Sequence, residues 1–365
     1  MSILEQAESE GCVLPRQPLP DELRRAARRT FGFVPEYLDY FSACPWVVRA
    51  TMTLEIPHMR LLHTRLDLAE MIALVVSQDN SCRYCYATHR MFLKIAGFRE
   101  DDIQRLEHEF LTSQFGPDRK VPLDFARRVS RADPPPSATE CAALVAGGCD
   151  PQGLKEIAYV TALFVFLNRL LTLPAIPYEP AEGLERAWRV RWTAPVWRWW
   201  FGRLVQPTVS EPRPAGSSDG PFSEIARAFD GLSIAAALRT TLEEAWSTGP
   251  LSRRAKGLVF AVVARAVGSR ATEREATRLL AAEGIDQAAV EHILAHLGSP
   301  ELDGTEALIV PYARDTVRYD PAQIQRRGKV LREALSNEQF IDLVGTASLA
   351  NAVARLGATF VDQAS

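Results

Sequence analysis

The sequence predicts an all-α protein made of two repeats of one helical unit, packed as an intrachain pseudo-dimer. Three observations predict it. Apolar residues recur at helical spacing through nearly all of the 365 residues, with no sustained strand alternation. A single gapless shift of 187 residues lays the second half on the first. Between the halves, residues 206–221 (QPTVSEPRPAGSSDGP) are dominated by Pro, Gly and Ser and read as a linker. The expected division is therefore 1–205, a 206–221 linker, and 222–365.

Composition narrows the function classes. Hydrophobic residues at 47% and charged residues at 24% give enough apolar surface for packed cores, which excludes disorder as the dominant state. Lys plus Arg number 42 against 45 Asp plus Glu, so the chain lacks the basic field that nucleic-acid binding usually needs. The N-terminal MSILEQAESEGCVLP has no basic segment followed by an apolar one. No secretory signal is expected, and the chain is predicted to be cytoplasmic.

Taken in order, Leu66, Leu68, Met71, Ile72, Leu74, Val75 and Val76 are too dense for a surface stripe and suit a largely buried helix. Phe92, Leu93, Ile95 and Ala96 continue a second helix, closed by Gly97. The most apolar run, 157–167, stops at Asn168 and Arg169, too short to span a bilayer, and reads as a buried helix. Five of the seven tryptophans fall in 188–200, interleaved with or next to Arg186, Arg189, Arg191, Arg198 and Arg203. Pro195 interrupts this segment, which is expected to pack against the repeats rather than lie on a membrane. Helical spacing returns in 276–283, 287–297, 322–335 and 338–356.

The 187-residue shift places Gly97 on Gly284, Phe125-Ala126-Arg127 on Tyr312-Ala313-Arg314, Arg131 on Arg318, and Asp133-Pro134 on Asp320-Pro321. It also places Cys82 on Ser269, Cys85 on Thr272, His89 on Ala276 and Glu70 on Gly257. The second copy thus keeps the packing pattern and lacks the reactive groups.

Those groups form the segment Glu70-MIALVVSQDNS-Cys82-RY-Cys85-YAT-His89. Asp79, Asn80 and Ser81 can all cap a helix starting near Cys82. A thiol there faces free backbone N–H groups and the positive end of the helix dipole, which favour a thiolate. Cysteines three apart share a helical face, and His89, four residues after Cys85, can lie over it and take a thiol proton. Glu70, in an otherwise apolar stretch of the preceding helix, can orient His89 and complete a relay. Two other readings are a zinc site and a pair of inert buried thiols. Structural zinc wants four ligands, and His58, His63 and His108 are scattered. Buried free cysteine packs as a small hydrophobe. Cys12, Cys44, Cys141 and Cys149 have no companion at a telling spacing, and His292 and His296 have no completing ligand.

A Glu, eleven residues, then Cys-x-x-Cys-x-x-x-His resembles the signature of the alkylhydroperoxidase AhpD-like family, within the carboxymuconolactone decarboxylase superfamily. Glu70, Cys82, Cys85 and His89 match its spacing. Phe31-Gly32-Phe33-Val34-Pro35 and Cys44-Pro45 resemble the family's first helices, and Asn168-Arg169 its closing helix. Cys82-Arg83-Tyr84-Cys85 resembles the peroxidase-related branch, although the best-studied type has a His where this chain has Tyr84. The resemblance covers about residues 25 to 180, with a degenerate copy from about 222. It implies a thiol-dependent peroxidase or thiol–disulfide oxidoreductase that uses the Cys82–Cys85 pair with a His89–Glu70 relay. Cys85 is expected to attack because it is nearer His89, although Cys82 sits closer to the helix N-terminus. It further implies peroxide or another small oxidant, a dithiol reductant (a thioredoxin-like or lipoyl-like protein), and a homo-oligomer. No metal or flavin motif is visible, so no cofactor is expected. The alternatives are a non-catalytic helical scaffold, a thiol redox sensor, or a superfamily enzyme acting on a specialised metabolite.

Overall fold

The computed structural model describes residues 11–109, 115–177 and 220–362. Nearly all of the 206–221 linker and the whole tryptophan-rich 188–200 segment lie outside the described residues. Within them the chain is helical and contains no strand. The first unit runs α1 (Asp21–Phe31), a 3-10 helix (Glu36–Phe41), α2 (Pro45–His58), α3 (Leu66–Asp79), α4 (Arg83–Ala96), α5 (Glu100–Glu109), α6 (Pro117–Arg131), α7 (Ala138–Ala146) and α8 (Pro151–Thr172). The second runs α9 (Ser223–Arg227), α10 (Ser233–Ser247), α11 (Arg253–Val267), α12 (Arg270–Ala282), α13 (Gln287–His296), α14 (Gly304–Asp315), α15 (Pro321–Ala334) and α16 (Asn337–Phe360). Among these described residues, no helix is long and apolar enough to cross a membrane.

The 187-residue shift maps α3 on α11, α4 on α12, α5 on α13 and α6 on α14, and relates α2 to α10 and the 3-10 helix to α9. The register changes once. Before the last helix the second unit has one residue fewer, so α8 maps on α16 at 186. Asp150 and Ser336 are then equivalent N-caps, and Arg169 is equivalent to Arg355.

Capping explains many of the starts. Asp150, Ser252, Ser269, Asp286, Asp303, Asp320 and Ser336 each accept a backbone N–H one turn into their helix. Pro45, Pro117, Pro151 and Pro321 stand in the first turn, where their missing N–H costs nothing. At the end of α4, Gly97 adopts φ 101°, a left-handed stop that a side chain would strain.

The core is the pair α8 and α16, buried along almost their whole lengths, which is why their sequences show little amphipathic contrast. They pack against each other and against α3 and α11, the buried third helix of each unit. Reciprocal clamps join the units. Arg169 of α8 donates to the carbonyls of Thr316 and Val317, each at 2.8 Å. Its counterpart Arg355 donates to the carbonyl of Ser130, the equivalent of Val317, at 2.8 Å. Exchanging the units exchanges the Arg169–Val317 and Arg355–Ser130 bonds, as a pseudo-twofold relation requires. A second junction is one-sided: the Trp46 indole of α2 donates to Asp342 of α16 at 3.0 Å, and Asp342 faces Lys256 at 3.3 Å.

Candidate active site

The turn between α3 and α4 sets the geometry. Ser81 takes a left-handed φ of 52°, where the second unit has Gly268 at 86°. This reverses the chain and makes Cys82 the N-cap of α4, so its sulfur accepts the backbone N–H of Cys85 at 3.4 Å. The Cys82 and Cys85 sulfurs lie 2.6 Å apart, both as free thiols. The turn is held from outside the motif. Arg169 donates to Asn80 Oδ1 at 2.9 Å, and the Tyr319 hydroxyl of the second unit donates to the Asn80 carbonyl at 3.0 Å. Burial pulls the Arg169 guanidinium down to about 10 while the nearby Tyr319 opposes the shift.

The structure brings all four sequence-predicted residues together. Glu70 on α3 bonds His89 on α4, Oε2 to Nδ1, at 2.7 Å. With Nδ1 donating to the carboxylate, the lone pair sits on Nε2, an assignment made from the bonding pattern. His89 follows Cys85 by one helical turn, and both line a cavity of about 500 Å³. Cys82 does not line it. Exposure is 4% for Cys85, 8% for Glu70 and 6% for His89, so this chemistry is shielded from bulk water.

That shielding has a consequence at Cys85. Burial first, then the contact with Cys82 and the charge of Glu55, push its thiol well above the ordinary value. The helix end does not make Cys85 a standing thiolate, so its proton must be removed by a base when it reacts.

Two residues that the sequence left unassigned complete the site. Glu55 and His58, three apart on α2, line the same cavity. Glu55 Oε2 lies 3.2 Å from His58 Nδ1, and Glu70 Oε1 lies 3.9 Å from His58 Nε2. His58 is not scattered; it faces Oε1 of Glu70, while His89 bonds Oε2. Burial alone would lower its pKa, but the hydrogen bond to Glu55 and the charges of Glu55 and Glu70 raise it above the ordinary value. The only signal in sequence was a Glu–His pair at helical spacing inside an apolar helix. The remaining walls are apolar and aromatic, among them Phe31, Phe92, Phe164, Leu167 and Leu171, with the exposed Phe33 beside them. Of the other histidines, His63 bonds Asp150 at 2.6 Å on the surface, and His292 and His296 stack exposed on α13.

Two solved structures resemble part of this chain. One is the crystal structure titled alkylhydroperoxidase AhpD core, an uncharacterized peroxidase-related protein from Ralstonia eutropha JMP134. It is 23% identical, with a TM-score of 0.41, over 47% of this chain and 95% of its own. The other is an uncharacterized peroxidase-related protein from Silicibacter sp. TM1040. It is 24% identical, with a TM-score of 0.41, over 48% of this chain and 95% of its own. Each spans about half of the present chain. No protein-family model and no curated protein matches the sequence. The chemistry open to the cavity is set by its own side chains.

Proposed function

We propose that the first unit is a thiol-dependent peroxidase and the second a scaffold for it. The observation that carries this reading is a cavity-lining Cys85 one turn from an imidazole oriented by a buried carboxylate. His89 Nε2 removes the Cys85 proton, and Glu70 stabilises the imidazolium. The thiolate attacks the distal oxygen of a peroxide. An S–O bond forms, the O–O bond breaks, and its electron pair leaves on the second oxygen. Cys85 becomes a sulfenic acid, and Cys82, already in contact, displaces water from it to give the disulfide. A dithiol protein or small dithiol then reduces the pair by exchange. The proposal extends to the division of the chain at residues 206–221 and to self-association of the whole.

The test is a single turnover. The pre-reduced full chain is mixed with one equivalent of an alkyl hydroperoxide, quenched and mapped by mass spectrometry. A Cys82–Cys85 disulfide formed faster than the oxidation of a free small thiol supports the reading. Two intact thiols after the oxidant has reacted with a small-thiol control sink it. Slow oxidation at the small-thiol rate favours the non-catalytic scaffold alternative, which the buried, high-pKa Cys85 thiol supports.

A further inference from the structure

The peroxidase step moves two protons, and the His89–Glu70 relay handles one. Cys85 must lose a proton to attack, and the departing oxygen must gain one. An alkoxide is a strongly basic leaving group, so breaking the O–O bond without a proton donor is costly. His89 cannot serve both needs at once, because it is the acceptor when the thiol ionises.

We propose that His58 is the general acid of this site, protonating the oxygen that leaves Cys85, and that Glu70 returns the proton from His89 to His58. The inference rests on the peroxidase reading.

Four observations support the assignment. His58 is 5% exposed and lines the same cavity as Cys85 and His89. Its Nε2 is buried without a hydrogen-bond partner among the described residues, and 3.9 Å from Glu70 Oε1 is too long for one. A buried ring nitrogen left open in this way fits a donor whose acceptor arrives with the substrate. Glu70 stands between the two imidazoles, Oε2 bonded to His89 and Oε1 facing His58, so one carboxylate addresses both ends of a proton circuit. Phe164 fixes both rings: its centroid lies 4.4 Å from His89 and 5.2 Å from His58, with interplanar angles of 82° and 89°.

The charge arrangement agrees. Glu55 and Glu70 place two carboxylates in one buried pocket, and a cation between them relieves both. His58, between these two carboxylates, is therefore set up to hold a proton before the reaction. The balanced step is ROOH plus Cys85–SH giving ROH plus Cys85–SOH. His89 gains the thiol proton, His58 gives its own to RO⁻, and transfer through Glu70 resets the pair.

The experiment uses leaving groups of different basicity. Pre-reduced full-length chain and the His58→Gln variant are each mixed with tert-butyl hydroperoxide, which releases an alkoxide, or peracetic acid, which releases a weakly basic carboxylate. Thiol loss is followed through a single turnover. The expected result is a fall of about 10²-fold with the alkyl hydroperoxide and less than about threefold with the peracid. A merely structural role for His58 slows both alike, so equal losses overturn the inference, as does no loss. Glu55→Gln leaves the imidazole in place and weakens its hold on the proton. It should show the same selectivity at about tenfold, which keeps the inference testable if His58→Gln misfolds. If wild-type chain reacts with neither oxidant, the peroxidase reading falls and takes this inference with it. If it reacts with both and the variants lose rate without selectivity, only the inference falls.

Discussion

The two halves of this chain share a cap and differ in everything chemical around it. In the first unit Cys82 caps α4 and accepts the Cys85 N–H at 3.4 Å; in the second Ser269 caps α12 and accepts the Thr272 N–H at 3.4 Å. The side-chain pairs also correspond, sulfur to sulfur at 2.6 Å and hydroxyl to hydroxyl at 2.9 Å. Oxygen therefore does the structural work as well as sulfur, and the structural role alone does not explain why the first unit has thiols. The surroundings diverge further. Glu55, His58, Glu70 and His89 correspond to Leu242, Ala245, Gly257 and Ala276 in the second unit. The space is closed as well. A Cβ on Gly357, the counterpart of Leu171, would lie 2.7 Å from both Ser269 Oγ and Thr272 Oγ1; one on Gly257 would lie 2.7 Å from Leu280. The second unit lacks the acids and bases and is packed tight where the first keeps a cavity.

The largest expected effect breaks this comparison at its chemical point. Cys85→Ser makes the first unit resemble the second at the attacking position while leaving the Cys82 cap intact. A serine hydroxyl is far too weak an acid for His89 to ionise usefully. Single-turnover peroxide consumption should fall by about 10³-fold or more, with the unfolding midpoint in urea nearly unchanged. Retention of even a tenth of the rate would mean that the oxidant reacts elsewhere.

A second substitution tests the closure. Gly357→Leu gives α16 the residue that α8 carries at Leu171, in a place where the next atoms are already 2.7 Å from a Cβ. Overpacking of this kind costs about 1–3 kcal/mol. Urea unfolding should show that loss, whereas an unaltered midpoint would mean that α16 can draw back and that the second site is still open space.

Much of this contrast was legible in sequence. The spacing from Glu70 to His89 marked two adjacent helices, and the constant shift marked the duplication, because both are properties of local register. What was not legible depends on packing between distant segments. Glu55 and His58 reach the site only because α2 lies across the cavity from α4, and a lone histidine on an apolar helix gives no sign of what it faces. The Trp46–Asp342 bond joins residues 296 apart in the chain. The one-residue change of register before α16 hid the equivalence of Arg169 and Arg355. The burial that raises the Cys85 pKa was not legible either, because helix-end electrostatics can be read from position, while burial cannot.

His58 offers a smaller effect with a definite sign. Its folded pKa is raised above 6.5, so the folded chain holds this proton more tightly than the unfolded chain. The resulting stability is fully present below pH 6.5 and is lost as pH rises through the folded value. The groups that set it are Glu55 on its own helix and Glu70 on α3. Wild type should therefore lose more stability between about pH 6 and pH 8 than His58→Gln, whose unfolding lacks this contribution. The check is a pair of urea titrations for each protein. Parallel pH profiles would show that His58 is not held protonated by the fold.

The smallest effect on activity is expected where the chemistry is already gone. Ser269 and Thr272 are completely buried, so neither can meet an oxidant, and with Ala276 following them no base is present to ionise a hydroxyl. Ser269→Ala removes an N-cap and leaves the Thr272 hydroxyl without its partner, a loss of about 1 kcal/mol. Thr272→Ala removes the other member of the pair and should cost less, since the Ser269 oxygen still receives the backbone N–H of that position. Neither change touches Asn80, where Tyr319 of the second unit steadies the turn that presents Cys82. Peroxide consumption should thus stay within about twofold of wild type for both variants, with only the urea midpoint moving. A large loss of turnover from Ser269→Ala would show that the second unit acts on the first through α12 as well as through α14 and the residues after it. The division between a reacting half and a supporting half would then be drawn in the wrong place.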